Sequence, residues 1–222
     1  MFAIQGRLVV KPAKHGLREQ KKLENRQRIR VAAADLFASH GYAAATLRQI
    51  ARRARVALGT LFNYVDDKRD LVFLVFNDDL DALTDVALAS PRAEDHLLDQ
   101  VMAVFACHYR WLGEQPALSR ILLQELTFYS EGKQTARFLA IRKRLIDGIE
   151  RLVRDAQAAR RFDARKDRTL VARQVFFIYS SAIRWWIAAP TPNPARGLAD
   201  LRRLLELSLR APVSGTRRPR KR

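Results

Sequence analysis

Apolar residues recur at helical spacing along most of the chain. Ile29, Ala32, Ala33, Leu36 and Phe37 share one stripe, the i, i+3, i+4, i+7 pattern of an amphipathic helix, and Gly41 offers a stop after it. Leu47, Ile50, Ala51 and Ala54 repeat the stripe, and Thr46 three residues before Gln49 reads as a capping box. After Arg55, Val56 and Ala57 it returns as Leu58, Leu61, Phe62 and Val65. A long apolar helix containing LVFLVF starts near Lys68, with Asp67 as its N-cap and Asp70 in its first turn. Further helices are expected over about 94–113, 117–127, 134–159, 167–189 and 195–210, divided by Gly113 with Pro116, RRFDARKDR and PTPNP. The pattern contains no strand alternation and no internal repeat. It predicts an all-α chain of about nine helices.

The second and third runs, about a turn apart, have the spacing of a helix-turn-helix. With Leu58, Leu61, Phe62 and Val65 inward, the opposite face of the third helix carries Gly59, Thr60, Asn63 and Tyr64. Such a face is small, polar and uncharged. It suits a helix entering the DNA major groove, where the backbone must come close and hydrogen-bonding groups must meet base edges and phosphates. Arg48, Arg52, Arg53 and Lys68 lie where flanking phosphates would run, and Thr46 opens the preceding helix. An ordinary helical hairpin with a solvated polar face has the same pattern.

Charge favours the first of these. The chain has 41 Lys and Arg against 23 Asp and Glu, a net charge of +18. Residues 1–70 hold 15 basic and 6 acidic residues, residues 71–213 are nearly balanced, and the tail TRRPRKR adds five basic residues. Basic ends around a balanced middle fit a polyanionic partner. The single cysteine, Cys107, excludes an internal disulfide. No apolar run approaches a membrane span, and the N-terminus lacks a signal-peptide pattern, so a cytoplasmic location is expected and no membrane partner. HExxH, Walker, GxSxG and CxxC motifs are absent, and histidines 15, 40, 96 and 108 have no metal-ligand spacing. Neither an enzyme nor a metal or cofactor protein is expected.

From Gln27 to Leu71 the chain resembles the DNA-binding domain of TetR/AcrR-family transcriptional regulators. The resemblance rests on Phe37, Gly41 and Tyr42, on Thr46, Ile50-Ala51, Ala54 and Val56, on Gly59-Thr60-Leu61 and Tyr64, and on Lys68 with Leu71. It departs at Arg55 and Ala57, where the family commonly has glycine and serine. The resemblance implies a basic flexible arm over 1–22, a helix-turn-helix domain over 23–66, a helical ligand-binding and dimerisation domain over 67–211, and a basic disordered tail over 212–222. It also implies DNA contacts from Thr46, Arg48, Arg52, Gly59, Thr60, Asn63, Tyr64 and Lys68. The protein would be a homodimer through its last two helices, repressing at a palindromic operator until a partly hydrophobic small molecule releases it. For the effector pocket Phe105, His108, Tyr109, Leu112, Tyr129, Tyr179 and Trp186 are the candidates, with Arg142 and Arg184 able to meet an acidic ligand. A different reading remains open: a helical module that binds a hydrophobic ligand or an anionic surface without reading DNA sequence.

Overall fold

The computed structural model describes residues 16–209. Among them every regular element is helical: α1 (Leu17–Ala44), α2 (Leu47–Arg53), α3 (Leu58–Phe62), α4 (Lys68–Ala89), α5 (Leu97–Glu114), α6 (Pro116–Glu125), α7 (Thr135–Ala158), α8 (Arg168–Ile187) and α9 (Pro194–Leu209). The expected breaks fall close to where composition put them. Asp67 caps α4, its side chain accepting from the Asp70 N–H at 2.6 Å, and Pro116 occupies the first turn of α6, where its missing N–H costs nothing. The tail over 212–222 and the first 15 residues of the expected arm lie outside the described residues.

One boundary is corrected. Residues 17–22, assigned to a flexible arm, form the first turns of α1. The stretch LREQKKLENR is rich in strong helix formers and has Glu19 in its first turn. It shows no apolar stripe because it buries almost nothing, so periodicity alone misses it. At its other end α1 is interrupted by Gly41, whose φ of 77° and ψ of 162° need a residue without a Cβ.

The N-terminal unit closes around Ile29, Ala33, Phe37, Ile50, Ala51, Leu61 and Val65, all buried. α4 leaves it and enters a larger helical body, packing on α5 and α7, while α8 and α9 cover the far side. Phe73, Phe76, Phe105, Tyr109, Ile149, Leu201 and Leu205 fill that core. At Gly197 of α9 a Cβ would lie 2.6 Å from ring atoms of both Tyr109 and Trp186. The close seat of α9 therefore depends on that glycine.

The acidic run on α4 accounts for much of the balanced charge in the middle of the chain. Asp78 pairs with Arg26 of α1 at 2.9 Å and with Arg137 of α7; Asp81 takes Arg137 at 3.1 Å and Arg144 at 2.6 Å. Arg30 adds a hydrogen bond to the Val75 carbonyl at 2.8 Å. α4 is thus clasped by guanidinium groups from both domains.

Candidate nucleic-acid interface and effector cavity

The helix-turn-helix is built from its caps. Thr46 Oγ1 accepts from the Gln49 N–H at 3.2 Å, and Gln49 Oε1 accepts from the Thr46 N–H at 2.9 Å, completing the box that starts α2. Arg55 then adopts φ 55°, a left-handed conformation that costs a residue with a Cβ about 1–2 kcal/mol. Ala57 stands at the N-cap of α3 with no side-chain cap. The turn keeps its shape although both residues are unsuited to it.

α3 is five residues long, shorter than the stripe suggested. Leu61 and Val65 are buried, but Phe62 is 40% exposed, so its expected inward placement is corrected. The helix ends at Phe62, and Asn63 and Tyr64 belong to the turn after it. Gly59 and Asn63 are exposed and Thr60 is half-buried. Arg48, Arg52 and Arg55 reach solvent and make no ion pair or hydrogen bond among the described residues. Arg53, by contrast, pairs with Asp35 at 3.1 Å.

Three other predicted contact residues have partners inside the protein. Lys68 Nζ donates to the carbonyls of Tyr42 and Ala43 at 2.9 and 3.1 Å and lies 4.6 Å from the centre of the Tyr42 ring. It satisfies carbonyls left open after the break at Gly41, which uses two of its three donors within the protein. The Tyr64 hydroxyl donates to the Lys22 carbonyl at 3.0 Å, tying the end of the motif to the first turns of α1. Thr46 is exposed, but its hydroxyl serves the capping box. Periodicity did not reveal that Arg18 and Lys21, on the helical start of α1, are exposed near this end of the motif; the charge of that stretch was its only signal.

The motif is fastened to the larger domain by a buried carboxylate. Asp70 is 1% exposed and accepts from the N–H groups of Asp66 (2.9 Å), Lys133 (3.1 Å) and Gln134 (2.9 Å) and from the Tyr129 hydroxyl. Gly132, at φ 129°, admits this carboxylate: a Cβ there would lie 2.6 Å from Asp70 Oδ1. From the same loop Lys133 Nζ donates to the Phe62 carbonyl at 2.6 Å and pairs with Asp66, while Gln134 Nε2 donates to the Tyr64 carbonyl at 2.9 Å. The loop before α7 therefore grips the backbone at the end of α3.

α7 also lines a cavity of about 280 Å³ in the larger domain, walled by Leu123, Phe138, Ile141, Leu145 and Ile183 together with His108, Tyr179, Arg142 and Arg184. Of the seven predicted pocket residues only His108 and Tyr179 line it. Phe105 stacks on Tyr179 at 4.1 Å as core, and Leu112 is core as well. Tyr109 and Trp186 pack on each other at 4.7 Å beneath α9. Tyr129 stacks on Phe73 at 3.5 Å and serves Asp70. Aromatic residues at helical spacing looked alike in sequence; the other wall positions, aliphatic ones on α4, α6, α7 and α8 together with Phe138, Phe176 and Phe177, carried no distinguishing signal. His108 donates from Nδ1 to the Val104 carbonyl at 3.2 Å. Burial, only partly opposed by that hydrogen bond, lowers its pKa to about 4, so the ring is neutral near pH 7.

The geometry is that of a helix-turn-helix unit with an uncharged helix face between unpaired arginines, joined through one long helix to a cavity-bearing helical body. Residues 29–75 match the family described as bacterial regulatory proteins, tetR family. The HTH-type transcriptional regulator HbdR of Aromatoleum sp. (strain CIB) is 36% identical over 88 residues, 40% of this chain. The match spans 36% of that relative's length. The fold extends further. FadR of Bacillus subtilis, solved with stearoyl-CoA, superposes with TM-score 0.65 at 18% identity over 82% of this chain and 97% of its own. Thermus thermophilus FadR, a TetR-family repressor solved with lauroyl-CoA, gives 0.65 at 21% over 86% and 97%.

Proposed function

We propose that the protein is a ligand-responsive transcriptional regulator, a dimeric repressor of a palindromic operator released by a small molecule. The observation that carries this reading is the exposed pair Gly59 and Asn63 flanked by Arg48, Arg52 and Arg55, three guanidinium groups without partners among the described residues. Unpaired arginines around a small polar face are what phosphate positioning and groove reading need. Asp66 and Asp67 do not oppose it, since Asp66 pairs with Lys133 and Asp67 caps α4.

Dimerisation has its own support. Phe177 and Trp185 on α8 are 56% and 86% exposed, and Leu204 and Leu207 on α9 are exposed beside them. A second copy seated there would bury this apolar face, and a two-fold arrangement would set two motifs about 34–36 Å apart, one DNA turn. Two fold neighbours hold acyl-CoA molecules, in keeping with an effector in the larger domain. The loop holding both Asp70 and the end of α3 gives that effector a route to the motif through α7. No described helix is long and apolar enough to cross a membrane, and a regulator of DNA acts in the cytoplasm.

Selection from a randomised duplex pool tests the DNA reading. A palindrome should be enriched; Asn63→Ala should weaken or relax it by about 1–3 kcal/mol. Arg52→Ala should weaken all sequences alike and reduce the log–log salt slope by about 0.9. Salt-sensitive binding with no enriched sequence would reject it in favour of the anionic-surface module.

A further inference from the structure

The cavity has the wrong electrostatics for a purely apolar guest. Its walls are aliphatic and aromatic, yet Arg142 and Arg184 line it as well. Ion pairs elsewhere clasp Arg26, Arg30, Arg137 and Arg144 to aspartates. Arg142 and Arg184 have no acidic partner among the described residues. Arg142 lies 5.6 Å from the centre of the Phe138 ring, and Arg184 donates to the Ser180 carbonyl of its own helix at 2.6 Å. Arg184 is half-buried on the wall and Arg142 is exposed at its edge, and each has donors left over.

A third polar group is His108, only 5% exposed. Because Nδ1 donates to Val104, the neutral ring leaves Nε2 as an acceptor, and no protein donor reaches it among the described residues. An unpartnered acceptor open to the cavity can take a hydrogen bond from a donor on the guest.

Size narrows the choice. A dry apolar cavity of about 150 Å³ holds one benzene. The space here is about 280 Å³, enough to enclose one ring with short substituents, whereas a long acyl chain would project past exposed Phe177 and Arg142. We infer that the effector is a compact amphipathic anion: a ring-sized apolar group with a hydroxyl donor for His108, and an anionic end held by Arg142 and Arg184. This rests on the ligand-responsive reading and goes beyond it by naming the ligand's chemistry. Two sources share it, a free hydroxyaryl carboxylate and the same acyl group as a CoA thioester, whose phosphates would supply the anion.

Calorimetric titration of the full-length, DNA-free protein tests the inference independently of operator binding. The probes are 3-hydroxybenzoate, its methyl ester, benzoate, 3-hydroxybenzoyl-CoA and lauroyl-CoA. The acid or its CoA thioester should bind, and the tighter of the two identifies the source. The neutral methyl ester should bind at least about tenfold more weakly than that source, since charge-assisted hydrogen bonds are lost. Arg142→Gln and Arg184→Gln should each weaken the charged probe while leaving the ester unchanged. His108→Phe should abolish the preference for 3-hydroxybenzoate over benzoate; Val86→Ala, exposed on α4 and outside the cavity, serves as a folded control and should retain it. Tightest binding by lauroyl-CoA would overturn the inference on size. Equal binding of acid, thioester and ester, or arginine variants without effect, would overturn it on charge. A protein that selects no operator yet passes these tests retains the ligand assignment and loses only the DNA reading.

Discussion

The turn before α3 is under-optimised, and its cost can be measured. Ala57 at the N-cap leaves the first N–H groups of a five-residue helix without a side-chain acceptor. Its φ of −65° and ψ of 149° are already those of a good cap. In Ala57→Ser the new hydroxyl would therefore reach the N–H of Gly59 or Thr60 without backbone movement. A serine cap contributes about 1 kcal/mol over alanine. For a chain of this size that raises Tm by about 2–4 °C. Arg55→Gly acts on the other fault: relief of about 1–2 kcal/mol of left-handed strain is partly offset by about 0.5–1 kcal/mol of extra unfolded-state entropy. The net gain is smaller, about 0.5–1 kcal/mol. Urea and thermal unfolding of Ala57→Ser, Arg55→Gly, the double variant and Arg55→Ala should be compared at one protein concentration, because self-association would otherwise shift the midpoints. Arg55→Ala removes the charge but keeps the strain, and should bring no gain. If Arg55→Ala stabilises as much as Arg55→Gly, charge repulsion rather than backbone strain is the cause. If Ala57→Ser brings no gain, the capping argument for α3 is refuted.

Further outcomes follow from three other sites. His108 takes up its proton near pH 4 when folded and near 6.5 when unfolded. Its neutral burial therefore favours folding fully above pH 6.5, and about 3 kcal/mol is lost as pH falls from there to 4; unfolding of His108→Phe across that range should show a flatter profile. Asp70→Asn replaces one acceptor oxygen of a four-donor site with a donor group and should cost about 3 kcal/mol in thermal unfolding. Gly132→Ala should weaken the same site and reduce the effect of ligand on operator affinity. Trp185→Glu should leave the helical circular dichroism intact and shift sedimentation from dimer to monomer, whereas an unchanged dimer would move the interface away from α8.

Helix order was legible because each helix except the start of α1 carries a stripe, a cap or a breaker that acts over one turn. The candidate site was legible only where a residue's environment is equally local. Gly59 and Asn63 lie opposite Leu61 and Val65, and that opposition follows from the period alone. Lys68 is ambiguous in sequence because a lysine donates as readily to a carbonyl as to a phosphate. Only the break at Gly41, brought alongside by folding, decides between the two. Tyr64 differs in the same way, its partner lying 42 residues upstream on a stretch with no stripe to announce it.

The cavity makes the point most sharply. A wall residue and a core residue on the same helix have the same period and the same chemistry; Tyr179 faces the cavity while Trp186, seven residues on, seals α9 against α5. What separates them is the close approach of α9 at Gly197, a long-range fact. The polar residues are more telling than the aromatic ones. An arginine or histidine among apolar positions must find a partner or remain unsatisfied. Among the described residues half-buried Arg184 and exposed Arg142 have no acidic partner and His108 Nε2 has no donor, and for that reason the search for an effector should begin with their chemistry rather than with the size of the hydrophobic walls.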